Sequence, residues 1–430
     1  MAGGADGLEA LELAIRTAML RLGASLLERL LALDAGHRGP RVGCGAGHAA
    51  TFVAYRAKRL DTVLGPLEVR RAWYHCADCG HGSAPRDREL GVAGASLSPG
   101  LRRMVARAGA AEPFGRARQD LAGLAGVELT AKRVERSAEA DGVVIAAAVE
   151  TEARAILAGE LVPLGAGEPP ETLYVAIDGT GVPMIPEETA SRPGKGPDGR
   201  ARTREAKLGC LFTQSGLDER GRPVRDPGSS SHVATFEGAS GFGGLVYAEA
   251  LRRGLGRAGR TVVLGDGALW IWNLAAEHFP GAVEIVDLYH AREHLHALGA
   301  LVAPTLGPDG PGWLAARLGE LDRGDLEALL EAARGLSLPA ALRPELERAL
   351  GYLETNRERM RYERFRGSGL FVGSGAVEAA CRAVVHQRLK LSGMRWTVRG
   401  AGAILTLRCQ AASGRWEDVW KWLPGQTSAA

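Results

Sequence analysis

The chain predicts an α/β core with a helical insertion, preceded by a long helix, a small β module and a second helical region. Three observations support that class. The apolar, β-branched runs LYVAID, KLGCLFTQ, SHVATFE, TVVLG and VEIVD read as strands, the last three separated by helical patterns. From 291 to 366 a stretch rich in Leu, Ala and Glu keeps helical periodicity. Near the N-terminus two pairs of metal-ligating residues bracket two more strand-like runs, the pattern of a metal-stapled hairpin.

The totals bound the rest. A length of 430 residues predicts about two to four domains. With 46% apolar and 24% charged residues the chain has globular composition, and no apolar run approaches the length that spans a bilayer. MAGGADGLEALEL lacks the basic start and apolar stretch of a secretory signal, so a cytoplasmic protein without a membrane partner is expected. Six cysteines in so long a chain exclude a disulfide framework, and CADC is a metal-binding pair of a reducing compartment. The net charge is only +3, but local excesses matter more. Arg357 to Arg408 holds eleven Lys or Arg against three Glu, and Arg192 to Lys207 six against two acids. Such segments suit a polyanion; a solvated, salt-bridged face is the plain alternative.

Along the chain, residues 1–38 predict an amphipathic helix. Leu8, Leu11, Ile15, Met19, Leu22, Leu26, Leu30 and Leu33 form one stripe, suited to packing on its own domain or to pairing two protomers. Residues 39–92 predict a zinc-ribbon-like module. Cys44 and His48 precede TFVAYRAKRL and LEVRRAWYHC, which turn around Gly65 and Pro66, and Cys76 and Cys79 close the hairpin. Tetrahedral Zn²⁺ takes four N or S donors, and a small domain gains its staple from them. His37 and His81 are rival fourth ligands, and a β domain with reduced thiols is the rival reading.

Residues 93–165 predict helices. Ser98 and Pro99 start one, Pro113 opens a second that Gly126 ends, and a third begins at Thr130. Lys132, Arg133 and Arg136 lie early in the third, as in a DNA-binding helix-turn-helix; a helical bundle fits the same pattern. The core then runs over 166–290, the helical insertion over 291–366, and the core's C-terminal part over 367–430.

Three acids stand out in this frame. Asp178 in YVAIDGTG and Asp266 in VVLGDGALW follow buried-strand patterns, and Glu378 in GSGAVEAACR opens a helix. Carboxylates that leave a sheet for solvent can hold Mg²⁺ or Mn²⁺, and a pair of such ions suits in-line displacement at a phosphodiester. Taken singly, each has a simpler account. Asp-Gly is a turn pair, and an acid in a first helical turn, here with Arg382 at i+4, is favoured by the helix dipole. His290, Glu293 and His294 spell the inverted zinc-peptidase pattern H-x-x-E-H. Gly254, Gly256 and Gly259 spell GxGxxG but precede a strand, the wrong context for a dinucleotide.

IDGTGVP, GDGALWIWNLA, VDLYHAREHL and YERFRGSGLFVGSGAVEAACRAVVHQRLKLSGMRW resemble insertion-sequence DDE transposases of the ISKra type. These are ribonuclease-H-like enzymes distantly similar to Mutator-type transposases. The resemblance covers most of the chain, from the cysteine module onward. It implies a ribonuclease-H-like core in which Asp178, Asp266 and Glu378 hold two Mg²⁺ or Mn²⁺ ions, with Asp287 and His290 as an Asp-x-x-His motif beside them. It also implies DNA partners (terminal inverted repeats and target DNA), a homodimer or higher synaptic complex, and association with the nucleoid. On that reading Arg382, Arg388, Lys390 and Arg395 contact phosphates and Trp396 stacks on an unpaired base. Cys44 with His48 departs from the family's usual first CxxC. A retired transposase that only binds DNA, and the zinc peptidase, are the alternatives.

Overall fold

A computed structural model describes residues 7–163, 168–194, 196–373 and 375–423. Lys195 of the first basic segment and the expected boundary at 165/166 lie outside these residues. The chain divides into two compact units, 1–148 with 402–408 and 415–430, and 149–401 with 409–414. Among the described residues no helix is long and apolar enough to cross a membrane.

In the first unit, helix α1 (Leu8–Ala32) leads to a four-stranded antiparallel sheet of β1 (Arg41–Gly43), β2 (Ala49–Thr62), β3 (Gly65–His75) and β4 (Gly82–Ser83), in that spatial order. The β2–β3 hairpin pairs from Thr62↔Gly65 to Thr51↔His75. One end of the ribbon buries Leu60, Leu67, Val69 and Val92. The buried carboxylate of Asp87, in the short helix α2 (Pro85–Glu89), is satisfied by Arg71 Nε at 2.8 Å and Lys58 Nζ at 3.1 Å.

Helices α3 (Pro99–Ala111), α4 (Phe114–Ala125) and the start of α5 (Ala131–Leu157) bury Leu101, Val105, Ala117, Leu121 and Val134 together. Ser98 caps α3 by accepting from Leu101 N–H, as the Ser-Pro signal implies. Part of the expected C-terminal core segment 367–430 belongs to this unit. Arg408 donates to Ala110 O at 2.6 Å, and Arg107 lies over Trp416 at 4.9 Å.

The second unit is built on a five-stranded mixed sheet. In chain order its region holds β5 (Thr172–Pro183), β6 (Thr203–Gln214), a short hairpin β7 (Gly216–Leu217) and β8 (Pro223–Val224), β9 (Ser231–Thr235), α6 (Ala239–Arg252), β10 (Arg260–Gly265), α7 (Leu269–His278) and β11 (Val283–Val286). The spatial order is β11-β10-β5-β6-β9. β5, β6 and β9 are an antiparallel meander, whereas β10 and β11 join parallel through α6 and α7. Leu173 to Ile177, Val262 to Leu264, and Ile285 and Val286 are buried, which explains their continuous apolar runs. The expected insertion is helical: α8 (Leu288–Leu306), α9 (Gly310–Arg323), α10 (Leu326–Arg334), α11 (Arg343–Thr355) and α12 (Tyr362–Gly367). The chain then forms α13 (Gly375–Ala380), a π-helical turn (Cys381–His386), α14 (Gln387–Leu389) and α15 (Val398–Ala412).

Candidate functional site

Parallel register sets the acids side by side. Leu264 pairs with Ala176, and two residues further on Asp266 is level with Asp178. Gly265 pairs with Val286, and the next step sets Asp266 level with Asp287, whose N–H donates to Gly265 O at 2.8 Å. Asp266 and Asp287 lie just past the ends of β10 and β11, whereas Asp178, expected at a strand exit, lies inside β5, which runs on to Pro183 against β6; three carboxylates therefore stand level across neighbouring strands. Helix α13 brings Glu378 to the same place. A cleft of about 190 Å³ is lined by Asp178, Asp266, Asp287, His290, Glu293 and Glu378, with Ile177 and Val377 as part of its apolar wall.

Each acid is held differently. Asp178 is half-buried; its Oδ1 accepts from Gly179 N–H at 2.7 Å and its Oδ2 from the Cys381 thiol at 3.1 Å. Burial pushes its carboxyl above the usual range despite those two donors, and the negative charge of Asp266 adds to the rise. Asp266 accepts from Ala268 N–H at 2.9 Å, while its carbonyl accepts from Tyr352 OH at 2.8 Å. Gly267 follows with φ +94°, and a Cβ there would lie 2.6 Å from the Tyr352 ring, so only glycine fits this turn. Asp287 is buried and caps α8 by accepting from His290 N–H at 2.7 Å. Glu378 is exposed.

Beside Asp178 a second cluster forms. Lys390 Nζ donates to Thr180 Oγ1 at 3.0 Å, and His386 Nε2 lies 3.2 Å from that hydroxyl. Burial, then the adjacent Lys390, lowers the His386 pKa. Sequence reading missed Thr180, Tyr352, Cys381 and His386. Thr180 shares a strand face with Asp178, and Cys381 is one helical turn past Glu378, so periodicity could have found both. His386 is set by the π turn, which leaves no periodic signal.

The structure corrects two expected DNA contacts. Arg388 is fully buried, stacked over the Trp396 ring at 4.9 Å, and donates toward Met394 Sδ. Trp396 is 6% exposed; its indole N–H donates to Leu389 O, and its backbone bonds Pro183 and Ile185 at the end of β5. Both are core residues, because a guanidinium and an indole stacked on each other bury well together. Arg382, Lys390 and Arg395 are exposed. In the other unit Lys132 pairs with Glu135 and Arg133 with Asp61 on β2, while Arg136 is exposed. With Arg88 and Arg102 these three line a hollow of about 890 Å³.

Cys44, His48, Cys76 and Cys79 offer ligand atoms that all lie within 4.8 Å of one another. They sit on the β1–β2 and β3–β4 turns. Cys44 N–H donates to His48 O and Cys76 N–H to His81 O, both at 2.9 Å. Ala46 N–H donates to Cys44 Sγ at 3.4 Å and lowers that thiol's pKa, which favours the thiolate that metals take. The cluster could bind a metal such as zinc. His48 is the fourth member; His37 instead sets its ring on Phe52, centroids 4.8 Å apart.

Compared with known proteins, the chain matches no family model and no curated protein.

The two histidines of H-x-x-E-H lie together, but among the described residues no third ligand atom from His, Cys, Asp or Glu joins them as closely as in the cysteine–histidine group. His290 and His294 bring their Nε2 atoms to 3.3 Å, and His294 stacks on Tyr352, centroids 3.9 Å apart. Among the described residues the cysteine–histidine group is the one with ligand atoms gathered this closely.

Proposed function

We propose that the protein is a DDE-type transposase with a ribonuclease-H-like core, which cuts the ends of its insertion sequence and joins them to target DNA. One observation carries the reading: Asp178, Asp266 and Glu378, far apart in sequence, line one cleft. The antiparallel meander running into parallel crossovers is consistent with the same core.

The donor set fits a hard divalent cation, since every acid offers oxygen and the like charges of Asp178 and Asp266 are ones that a cation would relieve. Asp178, Asp266 and Glu378 would hold Mg²⁺ or Mn²⁺, which when bound activates a nucleophile and stabilises a leaving oxygen. The three acids would not all need to share one ion, so their separation along the cleft is compatible with that role. In cleavage, water adds to phosphorus and the bond to the 3′ oxygen breaks, leaving a 5′-phosphate and a 3′-hydroxyl; that hydroxyl then attacks a phosphorus of target DNA, the target's own P–O3′ bond breaks, and the released 3′ oxygen takes up the proton that the attacking hydroxyl loses. Lys390, His386 and Thr180 bind a phosphate beside Asp178, and Arg382 and Arg395 contact the backbone further along. Lys132 and Arg136 contact the terminal repeats, and zinc in the cysteine–histidine cluster staples the ribbon.

The test is Asp178→Asn in a cleavage and strand-transfer assay on DNA carrying the inverted repeats that flank the gene. Loss of both steps by about a thousandfold or more, with end binding kept, is expected. Retained strand transfer discards the assignment of Asp178. End binding with no Mg²⁺-dependent cleavage by the unmodified protein supports the DNA-binding alternative instead.

A further inference from the structure

Helix α1 has two faces, and its own unit uses one. Leu27 and Leu31 pack against Leu60, Leu67, Val69 and Val92, Gly23 lies under Leu64, and Arg16 donates to the carbonyls of Gly123 and Leu124. Glu28 accepts from Glu68 N–H at 2.8 Å. The opposite face carries Leu8, Leu11, Ile15, Met19, Leu22, Leu26, Leu30 and Leu33, each at least 52% exposed. This is the stripe that the sequence singles out, and it faces outward rather than into the unit. Over the helix's length of ~37 Å, eight large aliphatic side chains make a contiguous patch of the kind that marks an interaction surface.

The spacing identifies the occupant. The steps are three, four and four residues, repeated every eleven, a period of about 3.67 per turn that keeps a seam nearly straight along the helix. The pattern is also its own mirror. Laid head to tail against a second α1, Leu8 meets Leu33, Leu11 meets Leu30, Ile15 meets Leu26 and Met19 meets Leu22, so every stripe residue finds a stripe residue. That orientation sets Glu12 level with Arg29 of the second copy and opposes the two helix dipoles; a parallel pair would align the dipoles and bring like ends together. A membrane-surface helix would instead present a basic polar face to lipid headgroups, and here the face opposite the stripe is packed on the protein.

We infer that α1 is the dimerisation element of this chain, pairing antiparallel with α1 of a second copy. The inference is independent of the proposed chemistry. It is tested on the full-length protein by sedimentation equilibrium at micromolar concentration. The expected result is a dimer that Leu22→Glu, or separately Met19→Glu, weakens by roughly a hundredfold while circular dichroism stays unchanged. Val162→Glu, at an exposed apolar residue of the other unit, should leave the dimer intact. A monomeric unmodified protein overturns the inference, as does a dimer indifferent to both α1 substitutions or a monomer that floats with anionic vesicles. Orientation is read by placing benzoylphenylalanine at Leu8. A cross-link to the region of Leu33 supports the head-to-tail register; one to the region of Leu8, or none from a dimer, overturns it.

Discussion

The two candidate metal centres of this molecule are built on opposite plans. In the ribbon, four ligand atoms from two tight turns converge within 4.8 Å, and Cys76 is buried. In the cleft, carboxylates are strung across neighbouring strands and a helix start, from buried Asp287 through half-buried Asp178 and Asp266 to exposed Glu378. On the proposed reading, the difference is what separates a staple from a workplace. A structural site closes its sphere with protein donors, whereas a reactive one leaves positions open and accepts the cost of like charges held near each other.

The comparison can be broken most severely at the ribbon. Cys76→Ser with Cys79→Ser should abolish metal binding and unfold residues 39–92, a loss of at least several kcal/mol. Metal content by mass spectrometry and proteolysis confined to that module are the readouts, and an intact, protease-resistant ribbon would make the staple reading untenable. Next in size is Arg388→Ala, which removes a fully buried guanidinium from its stack on Trp396 and should cost about 3 kcal/mol in chemical denaturation. Arg382→Ala and Arg395→Ala should leave stability unchanged and weaken DNA binding alone, the contrast that separates core from surface arginines.

In the cleft the sign is reversed. Burial holds the Asp178 carboxyl above its ordinary value, so folding favours the protonated form. Stability is therefore lost as pH rises through the interval between the unfolded and folded values, and the loss is complete above it. Metal-free Asp178→Asn should melt about 2–4 °C above the unmodified protein at neutral pH. That gain should vanish as pH falls below the usual carboxylate range. A variant that melts lower at neutral pH would show that Asp178 stabilises the empty cleft. Smallest is Tyr352→Phe, which deletes one hydrogen bond to the Asp266 carbonyl and should cost about 1 kcal/mol. Its cleavage rate should fall only modestly; an unchanged melting curve would mean that the bond contributes nothing.

How much of this was legible beforehand depends on whether a feature is periodic. The strand exit at Asp266 was readable because a buried parallel strand is a continuous apolar run that ends abruptly, whereas the one expected at Asp178 is mid-strand, since β5 runs on to Pro183 against β6. The ribbon was readable from ligand spacing alone, and the fourth member of its cluster is the histidine four residues beyond Cys44. The stripe on α1 was visible too, but not its direction, since an apolar face and an exposed one look alike in sequence. Arg388 and Trp396 were misplaced for a related reason: charge and aromaticity suggest a nucleic-acid surface, yet the two side chains satisfy each other indoors. Of the Thr180–His386–Lys390 cluster only Lys390 was singled out from the sequence, because His386 is placed by a π turn that leaves no periodic signal.

That turn has its own consequence. Between Cys381 and His386 the helix is wound more loosely than its neighbours. Six residues at that looser winding cover about the arc that five cover in an α-helix, so the turn absorbs one residue and the helix beyond it keeps its phase. Deleting one residue there would tighten the coil and leave Lys390 near Thr180, while the residues inside the turn, Cys381 and His386 among them, would change their aim. The excess amino acid thus works as slack taken up locally, altering the side chains beside Asp178 without disturbing those on either flank.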